Sequence, residues 1–125
     1  MLSSGMMRVC NFSMDVGMDA WLIQYALAQG VSVGLAMGRL LADWRTLAQV
    51  GEVDPMEQRR VRRAGQVRTR TLQLPADLAH WIAEQAARGK ARGNRGIYCS
   101  TQADIVNSAL AWLAADYEHA KTEVI

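Results

Sequence analysis

The chain has 125 residues, of which 50% are apolar and 21% are charged, with a formal net charge of +2. This composition excludes a disordered tail and indicates one domain or two very small ones, mostly helical because Ala, Leu, Gln and Arg are abundant. The longest apolar stretch is too short for a membrane span and the first residues lack the form of a signal peptide, so we expect a cytoplasmic protein in which residues 1–7 are a loose tail.

Positive charge is concentrated in the middle of the chain. Between Arg59 and Arg95 there are ten basic and two acidic residues, a balance of 10 − 2 = +8, whereas the other residues sum to −6. Such a segment predicts a surface that faces a polyanion. The alternative for the cluster Arg59–Arg63 is a solvated charge run in a linker.

Residues with metal or catalytic chemistry are sparse. Cys10 and Cys99 lack CxxC spacing, which indicates free thiols in a reducing compartment. His80 and His119 lie far apart with no other ligand at metal-binding spacing, so we expect neither a metal nor a cofactor. No nucleophile–base set, phosphate loop or carboxylate pair is visible, so the sequence does not predict an enzyme.

The first predicted element is a strand over Arg8–Met14. Its side chains alternate in character with a period of two, which is typical of a half-buried strand. The inward positions are Cys10, Phe12 and Met14. The outward positions are Val9, Asn11 and Ser13.

Two helices are predicted next. Asp15 can cap a helix over Val16–Gln29, which Gly30 ends, and Ser32 can cap a second helix over Val33–Gln49. Apolar spacing predicts the core face of each helix. These faces are Met18, Trp21, Leu22, Tyr25 and Ala26 in the first, and Met37, Leu40, Leu41 and Trp44 in the second.

Residues 51–66 are interpreted as a basic linker. Asp54, Pro55 and Glu57 have the order of a helix start, with a capping carboxylate, a proline at the first helical position and an acid at the third. They predict a short helix over residues 55–64 that ends at Gly65.

A second strand and two more helices complete the pattern. The strand, residues 68–74, places Leu72 and Leu74 inward, and Pro75 ends it. Helices are expected over 76–88 and 101–118, with a basic, glycine-rich insertion at 90–99 between them and a tail at 120–125. The predicted core face of the last helix is Ile105, Val106, Ala109, Leu110, Trp112 or Leu113, and Tyr117.

The order strand–helix–helix thus occurs twice, in units 8–50 and 67–119. An offset of 60 pairs Trp21 with Trp81, and an offset of 68 pairs Ser32 with Ser100 and Trp44 with Trp112. About 45 residues cannot bury enough surface to fold alone. We therefore expect a mainly α fold in which the two strands pair as an antiparallel β-ribbon and the four helices cover its inner face.

These features resemble the ribbon-helix-helix superfamily, the fold of the Arc and methionine repressors. The resemblance rests on the alternating strand that ends at Leu74-Pro75, the Gly30/Ser32 junction and the Ser100–Ile105 segment that opens the last helix. Two units in one chain would form a tandem pseudo-dimer, an arrangement similar to that of the conjugation relaxosome protein TraY. Val9 is a poor base reader and Arg70 occupies a strand position that is usually apolar, so both depart from the family pattern.

The resemblance also implies a DNA-binding site. In that family the polar face of the ribbon enters the major groove, and backbone N–H groups at the start of each second helix hold phosphates. The implied base-reading residues are Asn11, Ser13, Thr69, Thr71 and Gln73. The implied phosphate-binding residues are Arg8, Ser32, Val33, Arg68, Arg70, Arg88, Lys90, Arg92, Arg95, Ser100 and Thr101.

The implied function is sequence-specific binding of double-stranded DNA by a small, nucleoid-associated transcriptional repressor, with further self-association on DNA left open. The alternatives are a plasmid conjugation accessory protein, an antitoxin-type module and a protein-interaction scaffold. Only residues 119–125 follow the last predicted helix, which argues against the antitoxin. The outward Thr and Gln side chains also fit a solvated strand face, and the insertion also fits a surface loop.

Overall fold

The computed structural model describes residues 6–58, 67–92 and 99–123. The expected architecture, mainly helical with one two-stranded antiparallel sheet, is confirmed. The elements in chain order are β1 (Met7–Asp15), α1 (Val16–Gln29), α2 (Val33–Gln49), a 3-10 turn (Pro55–Glu57), β2 (Val67–Pro75), α3 (Ala76–Ala91) and α4 (Gln102–Glu123). We call residues 7–49 the first half and residues 67–123 the second half.

The two strands pair antiparallel in a register that is centred on one pair of equivalent residues. Asn11 pairs with Thr71, sixty positions later, and the ladder extends from Met7↔Pro75 to Asp15↔Val67. Both strands have the same sequence of exposed, half-buried and buried positions. One face of the ribbon is therefore directed to the core and the other to solvent, as the alternation predicts.

The predicted helix caps in the first half are present. The Asp15 carboxylate accepts a hydrogen bond from the Met18 N–H at 3.1 Å, and the Ser32 hydroxyl accepts one from the Leu35 N–H at 3.2 Å. Gly30 ends α1 with a φ of 70°, a left-handed conformation that glycine adopts without strain. These local interactions explain why both helices have the predicted bounds.

The core lies between the inner face of the ribbon and the helices. Phe12, Met14, Leu72 and Leu74 contribute to it from the strands. The predicted core residues of α2 are all buried, whereas Met18, Trp21 and Tyr25 of α1 are only half-buried against the cluster.

The second helices match in burial with an offset of 69 rather than the predicted 68. Five buried apolar positions match in this way, namely Ala36, Met37, Leu40, Leu41 and Trp44 of α2 with Ile105, Val106, Ala109, Leu110 and Leu113 of α4, while Ala114 of α4 is buried without a buried equivalent. The cap of α4 is likewise Thr101, whose hydroxyl accepts from the Asp104 N–H at 3.1 Å, and not Ser100. Trp112 is therefore not the counterpart of Trp44, and it packs half-buried against that ring with centroids 5.5 Å apart.

Helix α3 does not stop at Gly89 as predicted. It continues to Ala91, and the residue at position 89 is buried inside it. A Cβ atom there would lie 1.8 Å from the carbonyl oxygen of Cys99. Glycine at this site thus permits the chain entering α4 to approach the helix closely, which is a packing role rather than a helix stop.

Three other boundaries differ from expectation. Met7 belongs to β1 rather than to a tail, and α4 continues to Glu123, well past residue 118. In the described part of the linker, residues 51–58, the predicted helix start forms a 3-10 turn over Pro55–Glu57, and Gln58 is already extended with a ψ of 151°. The cluster Arg59–Arg63, the stop at Gly65 and most of the insertion, residues 93–98, lie outside the described residues.

Candidate nucleic-acid interface

The outer face of the ribbon carries three exposed cross-strand pairs. They are Val9↔Gln73, Asn11↔Thr71 and Ser13↔Thr69. The structure therefore brings all five predicted base-reading residues, together with Val9, onto one solvent-facing surface. We use "outer face" for these six residues.

The chemistry of the outer face is uncharged and adaptable. At its centre the Thr71 hydroxyl donates to the Asn11 side-chain oxygen at 2.5 Å. Hydroxyl and amide groups each offer donors and acceptors, so both can pair with the mixed pattern of base edges. Val9 adds an apolar contact opposite Gln73.

Two arginines lie at the opposite ends of the outer face. Arg8 pairs in the ladder with Leu74, and Arg68 pairs with Met14. Both side chains are exposed although their positions have inward parity, because they lie near the strand starts where the core ends. The uncharged face is thus flanked by a cation at each end.

The guanidinium of Arg70 is not directed outward, which corrects its expected role in phosphate binding. Its Nη2 and Nε atoms donate to Asp19 Oδ1 at 2.7 and 3.0 Å, and Nη2 also contacts Oδ2 at 2.9 Å. The position has inward parity, so the side chain extends toward α1, where Asp19 is buried. The exposed Arg68 lies 3.8 Å from the same carboxylate.

Asp19 is a structurally important residue that the sequence reasoning missed. It shares a helix face with Leu22 and Ala26, at spacings of three and seven residues, so a carboxylate stands in an otherwise apolar core stripe. A buried carboxylate needs a partner. An acid on a core stripe and an arginine at an inward strand position were together a signal for this ion pair.

The N-termini of the second helices differ in charge. Ser32 and Thr101, the caps of α2 and α4, are exposed, whereas Val33 and Ser100 are half-buried. The first turn of α2 contains no acidic residue, but that of α4 contains the buried Asp104. Because a carboxylate offsets the positive end of a helix, the α2 terminus is the more favourable place for an anion.

The basic residues at the end of α3 lie beside the start of α4, as the close contact between positions 89 and 99 shows. Arg88 is 3.4 Å from Asp54 and donates to the Gln85 side chain, and Arg92 is 3.6 Å from Glu57. Lys90 is exposed. Arg88 and Arg92, two of the expected phosphate-binding residues, therefore already pair with acidic side chains at the 3-10 turn. Arg95 lies outside the described residues.

Within the described ranges no group of three or more His, Cys, Asp or Glu side chains is arranged to hold a metal ion. In the same part of the chain no single helix has the length and apolarity of a membrane span. Only α1 and α2 taken together meet both the length and the apolarity of a span, and they are bent by 100° at their junction.

A scan against protein-family models finds no matching family, and searches of curated proteins and of solved structures find no significant match.

Proposed function

We propose that the chain is a tandem ribbon-helix-helix protein that binds double-stranded DNA in a sequence-specific way and acts as a small repressor. The outer face is the reading surface in this proposal. The observation that carries it is the set of three exposed, uncharged cross-strand pairs with an arginine at each end.

The width of the ribbon supports the proposal that its outer face enters the major groove. Strands in a ribbon lie about 4.8 Å apart, so a two-stranded ribbon with its side chains fits a major groove about 12 Å wide. A face without charge is suited to base edges rather than to phosphates. Arg8 and Arg68 are exposed at the two ends of the ribbon, and contacts from them to phosphates would fix the position of the ribbon.

The outer face also indicates what kind of site would be read. Its two strands are related by the sixty-residue offset but present different side chains, Val9, Asn11 and Ser13 against Thr69, Thr71 and Gln73. An asymmetric reading surface selects an asymmetric sequence. The bound DNA site is therefore expected to lack two-fold symmetry.

The test is selection of bound fragments from a random duplex library, followed by titration of the best site over a series of salt concentrations. Phosphate contacts predict a linear fall of log K with log salt, and base contacts predict a defined motif. Binding without any sequence motif, or no binding at low salt, contradicts the proposal. A repressor and a transfer-origin accessory protein would use the same surface, and the position of the motif relative to a promoter decides between them.

A further inference from the structure

Two buried polar contacts that join the two halves are made by residues that differ at equivalent positions. Equivalent residues are sixty positions apart in the strands and in α1 and α3. In α2 and α4 they are 69 positions apart, which is the offset at which the helix caps and the buried positions match. Two contacts across the ribbon depend on such differences.

The first contact is the ion pair between α1 and β2. Asp19 is 2% exposed, and its carboxylate accepts three hydrogen bonds from Arg70 at 2.7–3.0 Å. The equivalent positions in α3 and β1 are occupied by Ala79 and Cys10. The ion pair therefore exists on one side of the ribbon and has no counterpart on the other.

The second contact is an amide bridge between α4 and β1. Asn107 is 1% exposed. Its side-chain oxygen accepts from the Asp15 N–H at 2.9 Å, and its side-chain nitrogen donates to the Ser13 carbonyl at 2.8 Å. This bridge ties the end of β1 to the last helix of the other half.

The amide bridge cannot be repeated on the opposite side. The equivalent of Asp15 is Pro75, which has no N–H to donate. The equivalent of Asn107 is Gly38, whose added Cβ would lie 3.6 Å from Leu74. Gly38, Gln73 and Pro75 line an apolar groove of about 430 Å³ at this place.

Pairing of a half with its own copy would break both contacts. If two first halves paired, Asp19 of one copy would face Cys10 of the other instead of Arg70. Arg8 would take the position of Arg68 and would be the one remaining cation near that carboxylate. The Asp15 N–H would face Gly38 and would lose its acceptor. Two second halves would place Arg70 against Ala79 and Asn107 against Pro75. A buried charge that loses its partner shifts such an equilibrium by roughly 100-fold or more.

We propose that the two halves of this chain are selective for each other, through the Asp19–Arg70 ion pair and the Asn107 bridge. These two contacts, which we call the unlike-half contacts, make the ribbon form between β1 and β2 and prevent copies of the chain from pairing like strands. The proposal concerns the assembly of the ribbon and does not depend on DNA binding.

The experiment uses the full chain with Asn11→Cys and Thr71→Cys as reporters, on a Cys10→Ser background. Asn11 and Thr71 face each other in the ladder, so unlike pairing gives an 11–71 disulfide, whereas like pairing gives 11–11 and 71–71 disulfides. The reporter chain is refolded in a thiol–disulfide exchange buffer at concentrations up to about 1 mM, the order of the effective concentration between two modules that are joined in one chain. Mass spectrometry of peptides counts each disulfide.

The comparison variant adds Asp19→Ala, Arg70→Leu and Asn107→Gly, which removes both unlike-half contacts. In the parent reporter we expect like-strand disulfides to be at least about 100-fold rarer than the 11–71 disulfide. In the variant we expect the two kinds to differ by less than about tenfold at the highest concentration. Equal ratios in the two proteins overturn the proposal, whichever disulfide dominates.

Two further variants keep the test decisive if the comparison variant loses its helical circular dichroism. These are Asp19→Ala/Arg70→Leu alone and Asn107→Gly alone, each expected to raise the like-strand fraction about tenfold or more. An unchanged fraction in both contradicts the proposal. The matched control is His80→Ala/Glu84→Ala, which removes an exposed pair within α3 and should leave the ratio unchanged.

Discussion

The two halves of the chain use matching strands but different second-helix N-termini. In both strands the same positions are buried and exposed, and the ladder pairs Asn11 with its own counterpart, Thr71. At the helix starts, α2 has no acid in its first turn, whereas α4 has Asp104 and lies beside the basic end of α3. The apolar core positions of the strands are therefore matched between the halves, while the polar residues differ at exposed positions and also at buried ones such as Asp104.

The largest expected change in stability follows from breaking the Asp19–Arg70 ion pair, which is present on one side of the ribbon. Replacing Arg70 with leucine leaves the Asp19 carboxylate buried without its main partner, so we expect a loss of about 3–5 kcal/mol in unfolding free energy. The equivalent change in β1, Cys10→Leu, removes no ion pair and should cost less than about 1.5 kcal/mol. Urea denaturation measures both, and equal losses would show that the two sides are energetically alike.

The next prediction concerns what the halves share. Leu72 in β2 and Phe12 in β1 are equivalent core positions, and both are buried. Leu72→Ala should cost roughly 2–5 kcal/mol and Phe12→Ala roughly 3–5 kcal/mol. Each should lower the midpoint of one cooperative transition, because both belong to a single core, and two separate transitions would contradict this. Thr69→Ala on the outer face is the control, with a change within about 0.5 kcal/mol.

A smaller effect is expected on the outer face. Gln73 and Val9 oppose each other, but only the glutamine can form a bidentate pair with a base. Gln73→Ala should cost about 1–3 kcal/mol against the best DNA site and relax preference at one position, while Val9→Ala should change binding little. Fluorescence anisotropy with a panel of single-base variants of the site measures this. Unchanged affinity and preference in Gln73→Ala would exclude the ribbon as the reading surface.

The smallest expected effect is on the salt dependence of DNA binding, and it compares the two ribbon arginines with the basic end of α3. Arg8→Ala and Arg68→Ala should each reduce the slope of log K against log salt by about one unit without altering base preference. Lys90→Ala should do the same if the second half uses its basic insertion to hold a phosphate. A slope that changes for Arg8 but not for Lys90 would restrict phosphate binding to the ribbon and the α2 terminus.

Much of the fold follows from local patterns in the sequence. Alternation places Phe12 and Leu72 inward, and Asp15, Ser32 and Gly30 set the bounds of α1 and α2 through hydrogen bonds and a backbone conformation confined to a few neighbouring residues. The same patterns brought the candidate base readers onto one face. Local rules were sufficient here because each involves residues within about four positions along the chain.

The errors arise where a distant segment decides the outcome. Glycine is a residue type that commonly ends a helix, so the sequence predicts that α3 ends before Gly89. In the structure the chain at Cys99 approaches this position so closely that only glycine fits inside the continuing helix. Trp112 shares a residue type with Trp44, yet the packing of α4 buries Leu113 instead. Matching residue types along the sequence could not reveal the true offset, because burial depends on how the helix is rotated against the core.

The sequence by itself determined the periodicities, the caps and the faces of the strands, because these arise from backbone geometry and short-range hydrogen bonds. Only the tertiary structure decided the partners of Arg70 and Asn107, which lie 51 and 92 positions from Asp19 and Asp15 along the chain. A charged or polar side chain at an inward position must find its partner on whichever element packs against it. That element is fixed by the assembly of the whole core and not by the neighbours in sequence.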